Sequence, residues 1–167
     1  MTWSATWKNS GAFQERAIRE GGSSIAKKLM SVRSFFDTNV LVYADDSANR
    51  AKQQRAADLL HEHRKDGSGV VSLQVLQEYF VIVTRKLKLD AAIARRKVEL
   101  WGKLDVVTPD LRDILAAIDL HRLHHFSYWD ALVLRTAKQG GCSIVYSEDW
   151  QHGRDIDGVR IINPFRP

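Results

Sequence analysis

The chain has one cysteine, three prolines and no long apolar run, and each shortage closes off a class of protein. With Cys142 alone, no internal disulfide framework is available, which fits a reducing, cytoplasmic compartment. The densest apolar patch, YFVIV, is strand-sized and far short of the roughly 20 residues of a membrane span, so no membrane role is expected. The opening MTWSATWKNSGAF lacks the continuous apolar core of a secretory signal. Internal repeats and low-complexity tracts are missing too. What is left, 167 residues with 44% hydrophobic and 27% charged side chains, suits one globular domain with a real core.

The net charge of +5 is unevenly spread. Residues 1–30 carry five basic and two acidic side chains, leaving 20 basic and 18 acidic ones over the other 137 residues. A mildly basic domain with clustered acids suits an enzyme acting on polyanions, since basic rims attract phosphate while acids hold metal. Residues 1–32 have two glycine breaks and no sustained helical or strand period, so they are expected to be a poorly ordered or loosely attached extension. Met30 directly precedes SVRSFFDTNV, where a compact domain of residues 33–167 can begin; the leader is read as an over-extended start or a true extension.

From Arg33 onward, short strand-like runs alternate with amphipathic helices. RSFF, GVVS, LDVV, CSIVY and VRII read as five strands. Between them, helices are expected after Asp37, from Asn49 to about Asp66, from Ser72 to about Leu87, over about 90–103, from Thr108-Pro109 to the histidines, and from Ser127 to Gly140-Gly141. Such alternation implies an α/β layered fold with a mostly parallel sheet, whose site lies beyond the carboxyl ends of the strands.

Four acids stand in or beside apolar stretches: SFFDTNVLVYA, LQVLQEYFVIV, FSYWDALVL and IVYSEDW hold Asp37, Glu78, Asp130 and Asp149. An ionised carboxylate beside buried surface is costly unless something pairs with it. Asp37 closes the first strand, where an acid serves as an N-cap, a site ligand or both. Glu78 lies at the margin of a narrow polar stripe, opposite a broad apolar face of Val75, Leu76, Tyr79, Phe80, Ile82, Val83 and Leu87. Its neighbours three and four residues away are Gln74, Val75, Val81 and Ile82, so the usual surface ion pair has no partner. Asp130 forms a capping-box-like pair with Ser127 and is favoured by the helix dipole, yet Trp129, Ala131 and Leu132 half enclose it. Asp149 follows a strand in a loop, where Glu148 could take its place after a one-residue shift. Convergent carboxylates would repel one another unless a divalent cation sat between them, an arrangement suited to a Mg²⁺-dependent phosphodiesterase.

At FFDTNVLVYA, SLQVLQEYFVIVTRK, SYWDALVLRTAKQGGC and YSEDWQHG followed by IDGVRIINPF, the sequence resembles a PIN-domain ribonuclease of the VapC toxin type, over about residues 33–166. The resemblance implies a PIN-like three-layer α/β/α fold around a mostly parallel sheet of about five short strands. It places the acidic site on Asp37, Glu78, Asp130 and Asp149, with Asn39 and Ser147 as polar support. It further implies endoribonuclease activity on RNA, neutralisation by a cognate antitoxin and a homodimeric state. The leader of about thirty residues is the one departure from the compact family pattern.

Hard oxygen ligands of this kind suit Mg²⁺ or Mn²⁺ rather than a soft metal. Bound metal activates water and neutralises phosphate charge, with two ions about 4 Å apart serving the attacking and leaving oxygens. Asp37 and Asp130 are the primary ligands expected, with Glu78 and Asp149 completing the set. A basic surface for phosphate is expected from Arg85, Lys86 and Lys88 with Arg95, Arg96 and Lys97, Arg85 supporting the substrate. His121, His124 and His125 have ligand-like spacing, but no further His or Cys completes a tetrahedral zinc set. Cys142, Trp129 and Trp150 are read as packing residues. Rival readings are an aspartyl phosphatase using Asp37 as nucleophile, a structure-specific DNA nuclease, and a catalytically silent RNA- or protein-binding module.

Overall fold

The computed structural model describes residues 32–124 and 126–166. The leader therefore lies outside the described residues, as does His125. Strands β1 (Ser34–Phe36), β2 (Gly69–Ser72), β3 (Asp105–Val107), β4 (Ile144–Tyr146), β5 (Asp155–Ile156) and β6 (Val159–Ile162) form one sheet in the order β3-β2-β1-β4-β6-β5. Every pairing is parallel except that of β5 with β6. Helices α1 (Thr38–Tyr43), α2 (Arg50–Asp66), α3 (Leu73–Arg85), α4 (Ala91–Trp101), α5 (Leu111–His124) and α6 (Tyr128–Gln139) complete the three-layer α/β/α arrangement.

The central strands are apolar without interruption because a parallel sheet is covered on both faces. All residues of β1 and β2 are buried, and Phe35, Phe36, Val70, Val71, Val145 and Ile161 lie at the middle of the core. Crossover helices begin where the sequence supplies capping oxygens. The side chains of Asp37, Asn49, Ser72, Asp90 and Ser127 each accept from a backbone N–H in the first turn. Helix α2 stops at Gly67, whose φ of 73° suits a residue without Cβ.

Three features differ from expectation for physical reasons. The sheet has six strands rather than five, because Asp157-Gly158 forms a two-residue turn with φ of 56° and 81° that folds β5 back on β6. Asp-Gly is a strong hairpin signal, but β5 has only two residues and no strand-like run to announce it. Helix α5 starts at Leu111, not at Thr108-Pro109. Asp110 Oδ1 accepts from the N–H groups of Arg112 and Asp113, and Asp113 Oδ2 accepts from the Asp110 N–H. This reciprocal cap outcompetes the proline start. On α3, finally, Phe80 is exposed together with Leu73 and Val81. They line an apolar groove of about 770 Å³ with α4 residues instead of joining Val75, Leu76, Tyr79 and Val83 in the core.

Asp113 is buried, and its Oδ1 accepts from Arg135 Nε on α6 at 2.8 Å. Burial alone would raise its carboxyl, but the Asp110 N–H and Arg135 outweigh it and hold the group below the ordinary value. Asp113→Ala removes the half of the cap that holds the Asp110 N–H and strands the guanidinium, so a loss of about 2–3 kcal/mol in urea unfolding is expected. A change under 0.5 kcal/mol would show that this pair contributes nothing.

Candidate active site

Strand order decides which side chains meet. β1 and β4 are parallel neighbours, so their carboxyl ends deliver Asp37 and the Ser147–Asp149 segment to the same edge. The Asp37 N–H donates to Tyr146 O at 3.0 Å, and the Ser147 N–H to Ile162 O at 3.1 Å, which fixes both exits. Helix α3 leaves the end of β2 and brings Glu78; the first turn of α6 brings Asp130. One cavity of about 500 Å³ is lined by all four carboxylates, and also by Asp46 and Glu148.

Asp37 is the most constrained of them. Its Oδ1 accepts from the Thr38 N–H at 2.7 Å, capping α1. Its Oδ2 accepts from Ser147 Oγ at 2.7 Å and from Asn39 Nδ2 at 3.0 Å. The same Asn39 nitrogen lies 3.1 Å from Asp149 Oδ2, so one amide bridges two carboxylates. Asn39 Oδ1 accepts from the Glu148 N–H, which sets the orientation of that amide. Glu78 accepts from Thr38 Oγ1 at 2.8 Å and from Gln74 Nε2 at 2.7 Å, with no basic partner among the described residues. Asp130 Oδ1 accepts from Trp150 Nε1 at 3.1 Å, and its own N–H donates to Ser127 Oγ. Asp37, Glu78 and Asp149 are thus tied to one another through the neutral donors Thr38 and Asn39, while Asp130 is held separately by Trp150 and Ser127.

The electrostatic result is specific to Asp37. Burial pushes its carboxyl from 3.8 up to about 6, and the charges of Asp149 and Glu78 push the same way against the Ser147 and Thr38 hydrogen bonds. Glu148 points to a different balance. Lys52 Nζ pairs with Glu148 Oε1 and also lies 3.1 Å from the Tyr43 hydroxyl. Burial would raise the Glu148 carboxyl, but Lys52 and Tyr43 hold it below the ordinary value. Glu148 is therefore already neutralised, whereas the Asp149 carboxylate accepts from the Asn39 amide and its backbone N–H donates to Ser147 Oγ, with no cation within 4.0 Å of it among the described residues.

The residues present fit a hard divalent cation by their donor chemistry. Carboxylate oxygens surround the cavity with no imidazole or thiol among its lining groups, and Asp37 carries an electrostatic penalty that a cation would relieve. As the side chains stand, no group of three or more His, Cys, Asp or Glu among the described residues is close enough to enclose an ion.

Several expected residues fall elsewhere. Arg85 is exposed at the end of α3 and is not a lining residue; Lys86 is. The signal for this was present, because Gln74, Glu78, Ile82 and Lys86 follow one another at four-residue steps along one row, and all four line the cavity. Arg95 pairs with Glu99 and Lys97 with Asp45, so part of the expected basic surface is neutralised. Trp129, expected to pack, is 59% exposed at the cavity, while Trp150 packs against the core beside Phe126. Cys142 is buried as expected, and burial pushes its thiol up to about 12. His121 Nδ1 lies against the Phe126 carbonyl, and His125 of the same histidine set lies outside the described residues. Thr38 was passed over by sequence reasoning, although it stands directly between Asp37 and Asn39.

Parallel strands that feed acids into one cavity at their carboxyl ends define an α/β protein with its chemistry at the sheet edge. The sequence matches the PIN domain family over residues 34–156, most of its length, and the chain belongs to that family. Among curated proteins none matches it. Two similar solved structures are Mycobacterium tuberculosis VapC20, described as a sarcin-ricin loop cleaving toxin, and a toxin–antitoxin complex from Klebsiella pneumoniae. The first is 20% identical with a TM-score of 0.58, covering 68% of this chain and 88% of its own. The second is 18% identical with a TM-score of 0.57, covering 80% of this chain and 99% of the other. At these identities the likeness is one of fold.

Proposed function

We propose that this protein is a divalent-metal-dependent endoribonuclease, the toxin of a toxin–antitoxin pair. The carrying observation is the single cavity in which Asp37, Glu78, Asp130 and Asp149 meet at the carboxyl edge of β1 and β4. Membership of the PIN family and the likeness to two toxin structures support the reading. Asp37 and Asp130 would hold Mg²⁺ or Mn²⁺, with Glu78 and Asp149 completing the set directly or through water. Bound there, the metal supplies an activated water and neutralises charge on the phosphate. The chain's own residues do the rest. Thr38 orients Glu78, Ser147 orients Asp37, and Asn39 holds Asp37 and Asp149 at one spacing. A cytoplasmic setting, a homodimer and an antitoxin that occludes the cavity complete the proposal.

The direct test is to map RNA ends after brief induction, with Asp37→Asn as the control. New metal-dependent cuts in RNA support the proposal, while their absence, or cleavage confined to flapped DNA, rejects it. The pairing of Glu148 with Lys52 gives a sharper expectation within the acidic loop. Asp149→Asn should lower the cleavage rate on the order of 10²-fold, while Glu148→Gln should stay within about threefold, because removing a charge at developing charge is costly and removing a compensated one is not. Equal losses in the two variants would show that the loop contributes both acids.

A further inference from the structure

Tryptophan is seldom left in water, since burying a large side chain gains about 2–3 kcal/mol. Of the three tryptophans among the described residues, Trp101 is buried and Trp150 packs inward with its N–H on Asp130. Trp129 is the exception, 59% exposed in the first turn of α6, just before the buried run that starts at Ala131. Tyr128 meets it at 65°, so no neighbouring ring lies parallel to the indole among the described aromatic pairs. Trp129 nevertheless lines the acidic cavity.

Lys86 is the one cation lining that cavity among the described residues. It is exposed, and no carboxylate lies within 4.0 Å of it among the described residues, although six acids line the same space. Lys52, by contrast, is spent on Glu148, and Lys97 on Asp45. Leu87, Ile82 and Val133 give the cavity an apolar side beside this lysine. A polyanion approaching so many acids needs a positive group to meet it, and an unpaired lysine with an open aromatic ring is the combination that receives a nucleotide.

We propose that Trp129 and Lys86 form a nucleotide subsite beside the acids, with a base stacked on the indole and the adjoining phosphate held by the ammonium group. The proposal rests on the ribonuclease reading and specifies which residues position its substrate. The subsite takes a base that is free to unstack, and it adds affinity with little choice of base, because every base offers a ring face.

Binding is measured on the full chain carrying Asp37→Asn, by fluorescence anisotropy with a short unpaired RNA over a series of salt concentrations. Adding Trp129→Ala should weaken binding roughly 5- to 100-fold with the salt slope unchanged, and Trp129→Phe should keep most of the affinity. Adding Lys86→Met, which keeps the apolar stem, should lower the slope by about 0.7, the value for one phosphate contact on a single strand. An oligonucleotide lacking the stacked base should bind the Asp37→Asn protein as weakly as the intact RNA binds the Trp129→Ala double variant. In the cleaving protein, the Trp129→Ala loss should fall mainly in KM. Unchanged affinity in both variants overturns the subsite, as does a Trp129→Ala variant altered only in oligomeric state, which would assign the indole to a protein interface. If RNA is cut with wild-type kcat/KM by Trp129→Ala, only the subsite fails. If the wild-type chain makes no metal-dependent cuts and binds no RNA, the ribonuclease reading fails and takes the subsite with it.

Discussion

Asp37→Asn is expected to reduce metal-dependent RNA cleavage on the order of 10³-fold while leaving the fold intact. The two halves of that expectation have different atomic origins. Oδ1 caps α1 by accepting from the Thr38 N–H, and the asparagine carbonyl can accept the same bond. Oδ2 is the atom that shares Ser147 and Asn39 with the acidic loop, and there an amide nitrogen replaces an anionic oxygen. The substitution therefore removes charge where a cation would sit and keeps the structural bond one atom away. Cleavage assayed in Mg²⁺, with circular dichroism as the control for folding, separates these effects. Wild-type cleavage by this variant would end the assignment of Asp37 to the metal, and collapse of the fold would show that the cap and the ligand are not separable.

The second large effect is on stability, and its sign is unusual for a carboxylate. Asp37 titrates at about 6 in the folded chain against 3.8 ordinarily, so its contribution is fully present below pH 3.8 and is lost as pH rises through 6. Two pKa units correspond to about 3 kcal/mol, of which roughly 2 kcal/mol is lost between pH 4 and pH 7. Other carboxylates pull the opposite way: Glu148 and Asp113 titrate below their ordinary values and lose stability on acidification. The comparison must therefore be with Asp37→Asn, which lacks only this group. Relative to that variant, the wild-type chain in chelator should drop by roughly 5–10 °C in melting temperature from pH 4 to pH 7. At pH 7, Mg²⁺ at 100 times its dissociation constant should restore about 2.7 kcal/mol to the wild type and far less to the variant. A difference between the two proteins that does not change with pH would show that Asp37 is not electrostatically penalised.

Most of the fold could be read from the sequence because its elements are periodic and capped. Ser34–Phe36 and Gly69–Ser72 are short apolar runs followed at once by capping oxygens, and such junctions are local. The failures were non-local or too short to show a period. A two-residue strand has no period at all, and β5 is visible only once its turn is recognised. The acids were legible one by one, since each interrupts an apolar context without a basic neighbour. Their meeting was not, because it depends on β1 lying beside β4, with 107 residues of chain between Phe36 and Ile144. Glu148 and Asp149 could not be told apart for the same reason: Lys52, which claims Glu148, is 96 positions away. The choice of Lys86 over Arg85 was within reach, since the four-residue row from Gln74 includes only Lys86.

The short hairpin at the sheet's margin also bears on how the protein behaves in a crowded solution. An uncovered strand offers a row of free N–H and C=O groups to any other chain, and such margins seed aggregation. Here β5 spends the outer bonds of β6 on a strand of two residues, leaving almost no template beyond it. The opposite margin, β3, is three residues long and begins with Asp105, whose charge is engaged by Arg33. Both borders of the sheet are thus kept brief or charged, a safeguard against edge-to-edge strand pairing that has nothing to do with the acidic cavity.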